Sequence, residues 1–162
     1  MTRLVAETEI EIQAPIAVVW SIMIDLERYR EWNPFIVDVR HLPERLELGA
    51  RFQLWVNWAN GSQANSWETL TELAAPAVQG RSIQSAGLAY RYASWLAKVG
   101  LVQATREQRL TQADGQPTRY RTQESFQGLL ARYIALTDVR DGFRRQAQAL
   151  KVRAEALAQD LL

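Results

Sequence analysis

The last quarter of the chain carries one unbroken helical stripe, and everything before it must fold around that stripe. Val139, Phe143, Ala147, Leu150, Ala154, Leu157 and Leu161 recur at steps of four and three, with Arg, Gln and Asp on the opposite side. The spacing predicts a single amphipathic helix starting near Asp138. At ~1.5 Å per residue its twenty-odd residues reach roughly 35 Å, the width of a small domain. Gly142 near its start weakens helix propensity and points to a close neighbour.

From Phe35 onward the hydrophobic period is two. "FIVDVRHL", "RFQLWVNW" and "SWETLTEL" read as strands, the last two joined through "ANGSQAN", whose Asn-Gly is a hairpin signal. "VQGRSIQS" after Pro76 reads as a further strand, and "QATREQRLTQ" and "TRYRTQESFQ" as a hairpin around "ADGQ". With the alternating N-terminal "RLVAETEIEIQAP", whose Ala6, Thr8, Ile10 and Ile12 share one face, the total is about seven antiparallel strands. The segment "GLAYRYASWLAKVG", residues 87 to 100, fits a helix through Leu88, Tyr92, Trp95, Leu96 and Val99, or a strand through "LAYRY".

Between the first strand and the rest lie two short helices. Pro15 stands at a first helical position, and Ile16, Val19, Trp20 and Met23 follow at helical spacing. Asp25 interrupts them, Leu26 to Trp32 form the second helix, and Asn33-Pro34 stops it because a residue before proline is pushed out of the helical region. Trp32 and Phe35 therefore flank a rigid turn, which either plugs one end of the fold or forms part of a pocket wall.

Composition narrows the functions. The chain of 162 residues is long enough to bury a core as one domain, residues 1–162. It has no cysteine, which excludes disulfides and thiolate chemistry and suits a cytoplasmic setting. A single histidine, His41, disfavours a metal centre, and no cofactor motif is present. Nineteen basic against eighteen acidic residues give no electrostatic case for nucleic acid. No apolar run spans a membrane and the N-terminus lacks a signal-peptide core, so stable membrane insertion is not expected.

The stretch "IEIQAPIAVVWSIMIDLERYREWNPF", residues 10 to 35, resembles the START-like (SRPBCC) superfamily, whose members read apolar-x-apolar-x-Ala-Pro, then Val-Trp, an Asp and Trp-Asn-Pro. "TQESFQGLL" (122 to 130) and "LKVRAEAL" (150 to 157) are similar to its last strand and terminal helix. That superfamily includes polyketide cyclases, lipid-transfer domains, the birch-pollen allergen and plant hormone receptors. The resemblance implies an α+β helix-grip fold, a curved antiparallel sheet wrapped around the long C-terminal helix with a cavity between them. The resemblance leaves the ligand open, whereas the surplus of inward aromatics points to binding of a hydrophobic or aromatic small molecule. The alternative that the resemblance implies is a cyclase/dehydratase-like enzyme.

Strand parity supplies candidate lining residues. With Arg119 and Arg121 outside, Tyr120, Thr122, Glu124 and Phe126 turn inward. Phe52, Leu54, Val56 and Trp58 form one apolar wall, and Trp67, Thr69, Thr71 and Leu73 another. Of these, Phe52, Leu54, Trp67, Thr69, Tyr120, Glu124 and Phe126, with Trp32 and Phe35 from the turn and Phe143 and Leu150 from the helix, are the expected ligand-binding set. The small Ala147 and Ala154 leave volume beneath the sheet. Glu124 is the one candidate for acid/base work, since burial raises a carboxylate unless a cation such as Arg106 answers it. The titratable groups are too few to favour chemistry over binding. Tyr90, Tyr92 and Trp95 would form a lid over the cavity or a contact surface, and the chain would act as a monomer or homodimer.

Overall fold

Seven strands join in one antiparallel sheet whose first strand pairs with its last. The computed structural model describes residues 3–162. In chain order they form β1 (Leu4–Ile12), α1 (Ile16–Ile24), a 3-10 turn (Leu26–Arg28), α2 (Tyr29–Trp32), β2 (Ile36–Arg40), β3 (Arg51–Asn57), β4 (Gln63–Gln79), β5 (Ile83–Tyr92), α3 (Trp95–Lys98), β6 (Gln103–Ala113), β7 (Thr118–Gln127), a second 3-10 turn (Ala131–Tyr133) and α4 (Leu136–Asp160). The sheet order is β1-β7-β6-β5-β4-β3-β2. It is a curled half-barrel holding α4 against its inner face, the helix-grip arrangement expected. No helix among the described residues is long and apolar enough to cross a membrane.

Ile16, Val19, Trp20, Ile22 and Met23 of α1 are buried. Pro15 caps that helix from extended backbone (φ −59°, ψ 143°), one residue earlier than the spacing placed it. The helix packs on α4 and on β4, β5 and β6, so it fills much of the space under the sheet. Ala147, Leu150 and Ala154 are consequently sealed in the core.

Asn33 closes α2 as a buried Asx turn. Its Oδ1 accepts from the backbone N–H of Phe35 (3.0 Å) and of Ile36 (2.9 Å), which starts β2 directly from the helix end. Phe35 then enters the interior and meets α4 at Gly142, where a Cβ would overlap the phenyl ring. Arg145 ties the same corner down, donating to the carbonyls of Pro34 and Asn57 at 2.9 Å each.

Two local expectations are revised. "VQGRSIQS" is not a separate strand: β4 continues through Pro76 to Gln79, turns at Gly80 (φ +68°), and returns as β5. Pro76 is tolerated because it sits at an irregularity in the pairing between Ala74 and Ala77, where its missing N–H breaks no regular ladder bond. Residues 87 to 100 divide between the two readings. The part through Tyr92 is strand, and Trp95–Lys98 is one helical turn whose N–H groups at Leu96 and Ala97 are capped by Ser94 Oγ.

Candidate functional site

A pocket of about 240 Å³ opens between the inner face of the sheet and the start of α4. Phe35, Ile36, Leu54, Val56, Trp58, Phe126, Ile134 and Val139 supply its apolar walls, and Glu68, Tyr90, Arg106 and Glu124 supply its polar floor. The hollow lies at the N-terminal end of α4, near Gly142, rather than over the small Ala147 and Ala154. At Ala147 and Ala154 the neighbouring side chains close the gap completely.

Arg106 is the hub of the floor. It is buried on β6 and donates to Thr122 Oγ1 (3.1 Å), Tyr90 Oη (3.0 Å) and Gln146 Oε1 (2.9 Å). Its guanidinium also lies 4.3 Å from the ring centroid of Phe143, a cation–π contact. Glu124 stands directly opposite Arg106 in the β6–β7 register, yet among the described residues the two form no ion pair. A second carboxylate, Glu68 on β4, is buried and accepts from Ser66 Oγ at 2.7 Å.

The electrostatics follow from burial. Glu68 is raised to about 8, chiefly by loss of water and further by the nearby Glu124, against the opposing pull of the Ser66 hydroxyl and Arg106. Burial lifts Glu124 to about 7, with Arg106 opposing. Near neutral pH the pocket therefore offers carboxyl groups able to donate a hydrogen bond as well as accept one. Tyr90 is pushed above the range of ordinary phenols by burial, so it stays a neutral hydroxyl.

Of the residues expected to bind ligand, Phe35, Leu54, Glu124 and Phe126 line this pocket. Phe52, Tyr120, Phe143 and Leu150 are inward but fully buried in the packing around it. Tyr120 spends its hydroxyl on Gln108 Oε1 at 2.7 Å and does not reach the pocket. Trp32 lies elsewhere, half-buried edge-on to Tyr29 at 5.2 Å beside Pro34 and the outer side of α4. Trp67 and Thr69 are on the opposite face of the sheet. Trp67 stacks on exposed His41 at 5.0 Å, and Thr69 faces outward between Arg51 and Arg91.

The parity of β4 explains the misplacement. Counting back from Leu73 by twos puts Trp67 and Thr69 inside. The pairing slips by one between Leu70 and Glu72, however, so Ser66, Glu68 and Leu70 face inward although Leu73 does as well. Glu68 was missed for that reason. Tyr90 belongs to β5 and is buried beneath the pocket, not part of a lid, whereas Trp95 is 68% exposed.

Residues 3–155 match the family model described as "Polyketide cyclase / dehydrase and lipid transport". No curated protein sequence matches the chain. Among solved structures, the Zhui aromatase/cyclase of Streptomyces sp. R1128 superposes with a TM-score of 0.69 at 18% identity, covering 95% of this chain and 94% of that one. Major latex-like protein 151 of Panax ginseng gives a TM-score of 0.72 at 9% identity, covering 95% and 99%. The di-domain ARO/CYC BexL from the BE-7585A biosynthetic pathway gives 0.58 at 13% identity over 96% of this chain and 50% of its own length, so this chain spans half of it. At such identities the likeness is one of fold.

Proposed function

The chain belongs to the polyketide cyclase / dehydrase and lipid transport family, and we propose that it binds a small, mostly apolar molecule with one hydrogen-bonding end in the Phe35–Glu124 pocket. The observation carrying this reading is the division of the pocket into an aromatic and aliphatic wall and a floor of two carboxyls and a guanidinium. Apolar contact supplies most of the affinity in such sites, and a few fixed polar groups set orientation. A volume of about 240 Å³ suits a one- or two-ring compound, smaller than an extended lipid. A hydroxyl or carbonyl on the ligand would meet Glu124, Glu68 or Arg106 on arrival.

The test combines native mass spectrometry of freshly purified protein with a thermal-shift screen of hydroxylated one- and two-ring aromatics. At least one compound should raise the melting temperature of the wild type, and Val56→Phe, which fills the pocket, should not respond to it. Protein that arrives empty and ignores the whole panel would refute the reading.

A second reading, cyclisation or dehydration of a polyketone-like chain, is favoured by one feature: carboxyls at about 8 and about 7 sit where proton transfer at neutral pH is most effective. Glu124 would take a proton from carbon beside a carbonyl, and Arg106 would hold the enolate oxygen. Most of the acceleration would come from how the pocket folds the substrate. Tyr120 has no part in this version because its hydroxyl is committed to Gln108. Undiminished turnover of a short polyketone mimic by Glu124→Gln would eliminate it.

A further inference from the structure

The sheet face turned away from α4 carries two contrasting charge patterns. Toward one end every cation of the sheet is answered: Arg121 by Glu7 at 2.6 Å, Arg119 by Glu9 at 3.5 Å, and Arg109 by Glu72. Toward the other end, one lateral row across β3, β4, β5, β6 and β7 reads Arg51, Thr69, Arg91, Thr105 and Ser125, each directly opposite the next. Ser94, Ala97 and Lys98 border the same row and close it into a groove of about 580 Å³. Arg51, Arg91 and Lys98 line this groove together with the hydroxyls of Thr69, Ser94, Thr105 and Ser125, and no carboxylate does.

Arg51, Arg91 and Lys98 join none of the ion pairs among the described residues. Glu107 lies two residues along β6 from Thr105 on the same face, but it is outside the lining and paired with none of the three. The chain as a whole is only +1, so a local surplus of three positive charges is not inherited from composition. Strands lie about 4.8 Å apart, which puts the backbones of Arg51 and Arg91 roughly 10 Å from one another with a threonine hydroxyl between them. Two guanidinium forks, an ammonium and several hydroxyl donors around one hollow match the several oxygens of a doubly charged tetrahedral anion better than a single carboxylate.

We propose that this outer groove is a binding site for a phosphate group carried by a small ligand, a monoester or a diphosphate, held by Arg51, Arg91 and Lys98. The site is independent of the interior pocket and stands whether or not that pocket binds or transforms anything. Being partly open to water, its affinity falls steeply with added salt.

Inorganic pyrophosphate is the probe, titrated at low ionic strength by calorimetry and by amide NMR. Saturable one-to-one binding is expected, with shifts concentrated at Thr69, Arg91, Ser94 to Lys98 and Thr105. Arg91→Gln and Arg51→Gln should each weaken it at least about tenfold, the scale of one lost hydrogen-bonded charge contact. Arg119→Gln, drawn from the paired end of the same face, should leave it within about twofold. All three positions are exposed on strands, so their variants should keep the wild-type melting temperature. Co-sedimentation with vesicles containing phosphatidic acid separates the sources of the phosphate. Retention that Arg91→Gln abolishes assigns it to a lipid headgroup, and pyrophosphate binding without retention assigns it to a soluble ester; either upholds the site. Absence of saturable pyrophosphate binding up to about 10 mM, weaker than any working ligand affinity, overturns the proposal. An equal loss in Arg119→Gln overturns it too.

Discussion

Arg106 and Glu124 face each other across the β6–β7 ladder, yet the guanidinium turns to Tyr90, Thr122 and Gln146 and leaves the carboxyl free toward the pocket. A direct ion pair would have held Glu124 ionised. With Arg106 opposing burial only through its field and not as an ion-pair partner, it rises to about 7 instead. The guanidinium thus acts as a fixed part of the floor, and the carboxyl as the group left for a guest.

Arg106→Met should be costly for the fold itself. It removes three hydrogen bonds at once and leaves Tyr90, Gln146 and Thr122 to find other partners in a dry interior. Loss of one partner from a buried charged network costs about 3 kcal/mol or more. Urea unfolding followed by tryptophan fluorescence should show a clear drop in midpoint, and Arg106→Lys should recover only part of it because an ammonium lacks the planar fork.

The pH dependence of stability has a definite sign. Glu68 is held at about 8 in the fold, well above an unfolded glutamate, so the native state keeps a proton that the unfolded chain has lost. Its contribution is therefore complete below about pH 4.5 and disappears as the pH rises through about 8. Glu124, raised to about 7, acts in the same direction. Between about pH 5 and 8.5 the wild-type midpoint should decline, and Glu68→Gln should flatten that decline. A wild-type midpoint that climbs over the window, or a Glu68→Gln profile parallel to it, contradicts this account.

Gly142→Ala sets two effects against each other. Alanine improves helix propensity by about 1 kcal/mol. Its Cβ would nevertheless overlap the Phe35 ring, and overpacking typically costs about 1–3 kcal/mol. The clash should win because Phe35 is wedged between Trp58 at 5.5 Å and Phe143 at 6.0 Å. A melting temperature lower by a few degrees is expected, and the double variant Gly142→Ala/Phe35→Leu should lose less than the sum of its parts.

Asn33→Ala should destabilise by about 1–3 kcal/mol, since Oδ1 satisfies two buried backbone N–H groups at once. Asn33→Asp retains that acceptor. It should therefore fall between wild type and alanine in chemical denaturation, and an aspartate variant as weak as alanine would show the turn is held some other way.

Local chemistry made much of this legible in advance. Asn33-Pro34 stops α2 because proline restricts the residue before it, whatever lies nearby. The four-three stripe from Val139 to Ala154 becomes the buried side of α4 because helical period is a property of the chain. Arg119 and Arg121 outside, and Tyr120 and Thr122 inside, follow from two-residue alternation along an unbroken β7. Even the close neighbour of Gly142 was implied by a glycine where helix propensity disfavours one.

Alternation along one strand, however, says which residues share a face and not where the count slips. The slip between Leu70 and Glu72 exists only in the pairing of β4 with β5, and it alone brings Glu68 inside and sends Trp67 to stack on His41. Where the hollow sits was likewise decided by packing: α1 packs on α4 and Ala147 is buried, while the pocket opens where Phe35 and Val139 line it, near Gly142. The amino-acid order determined the elements because their periods are written locally. The assembled sheet decided which carboxyls share the pocket with Arg106, because that depends on strands far apart in the chain coming into register.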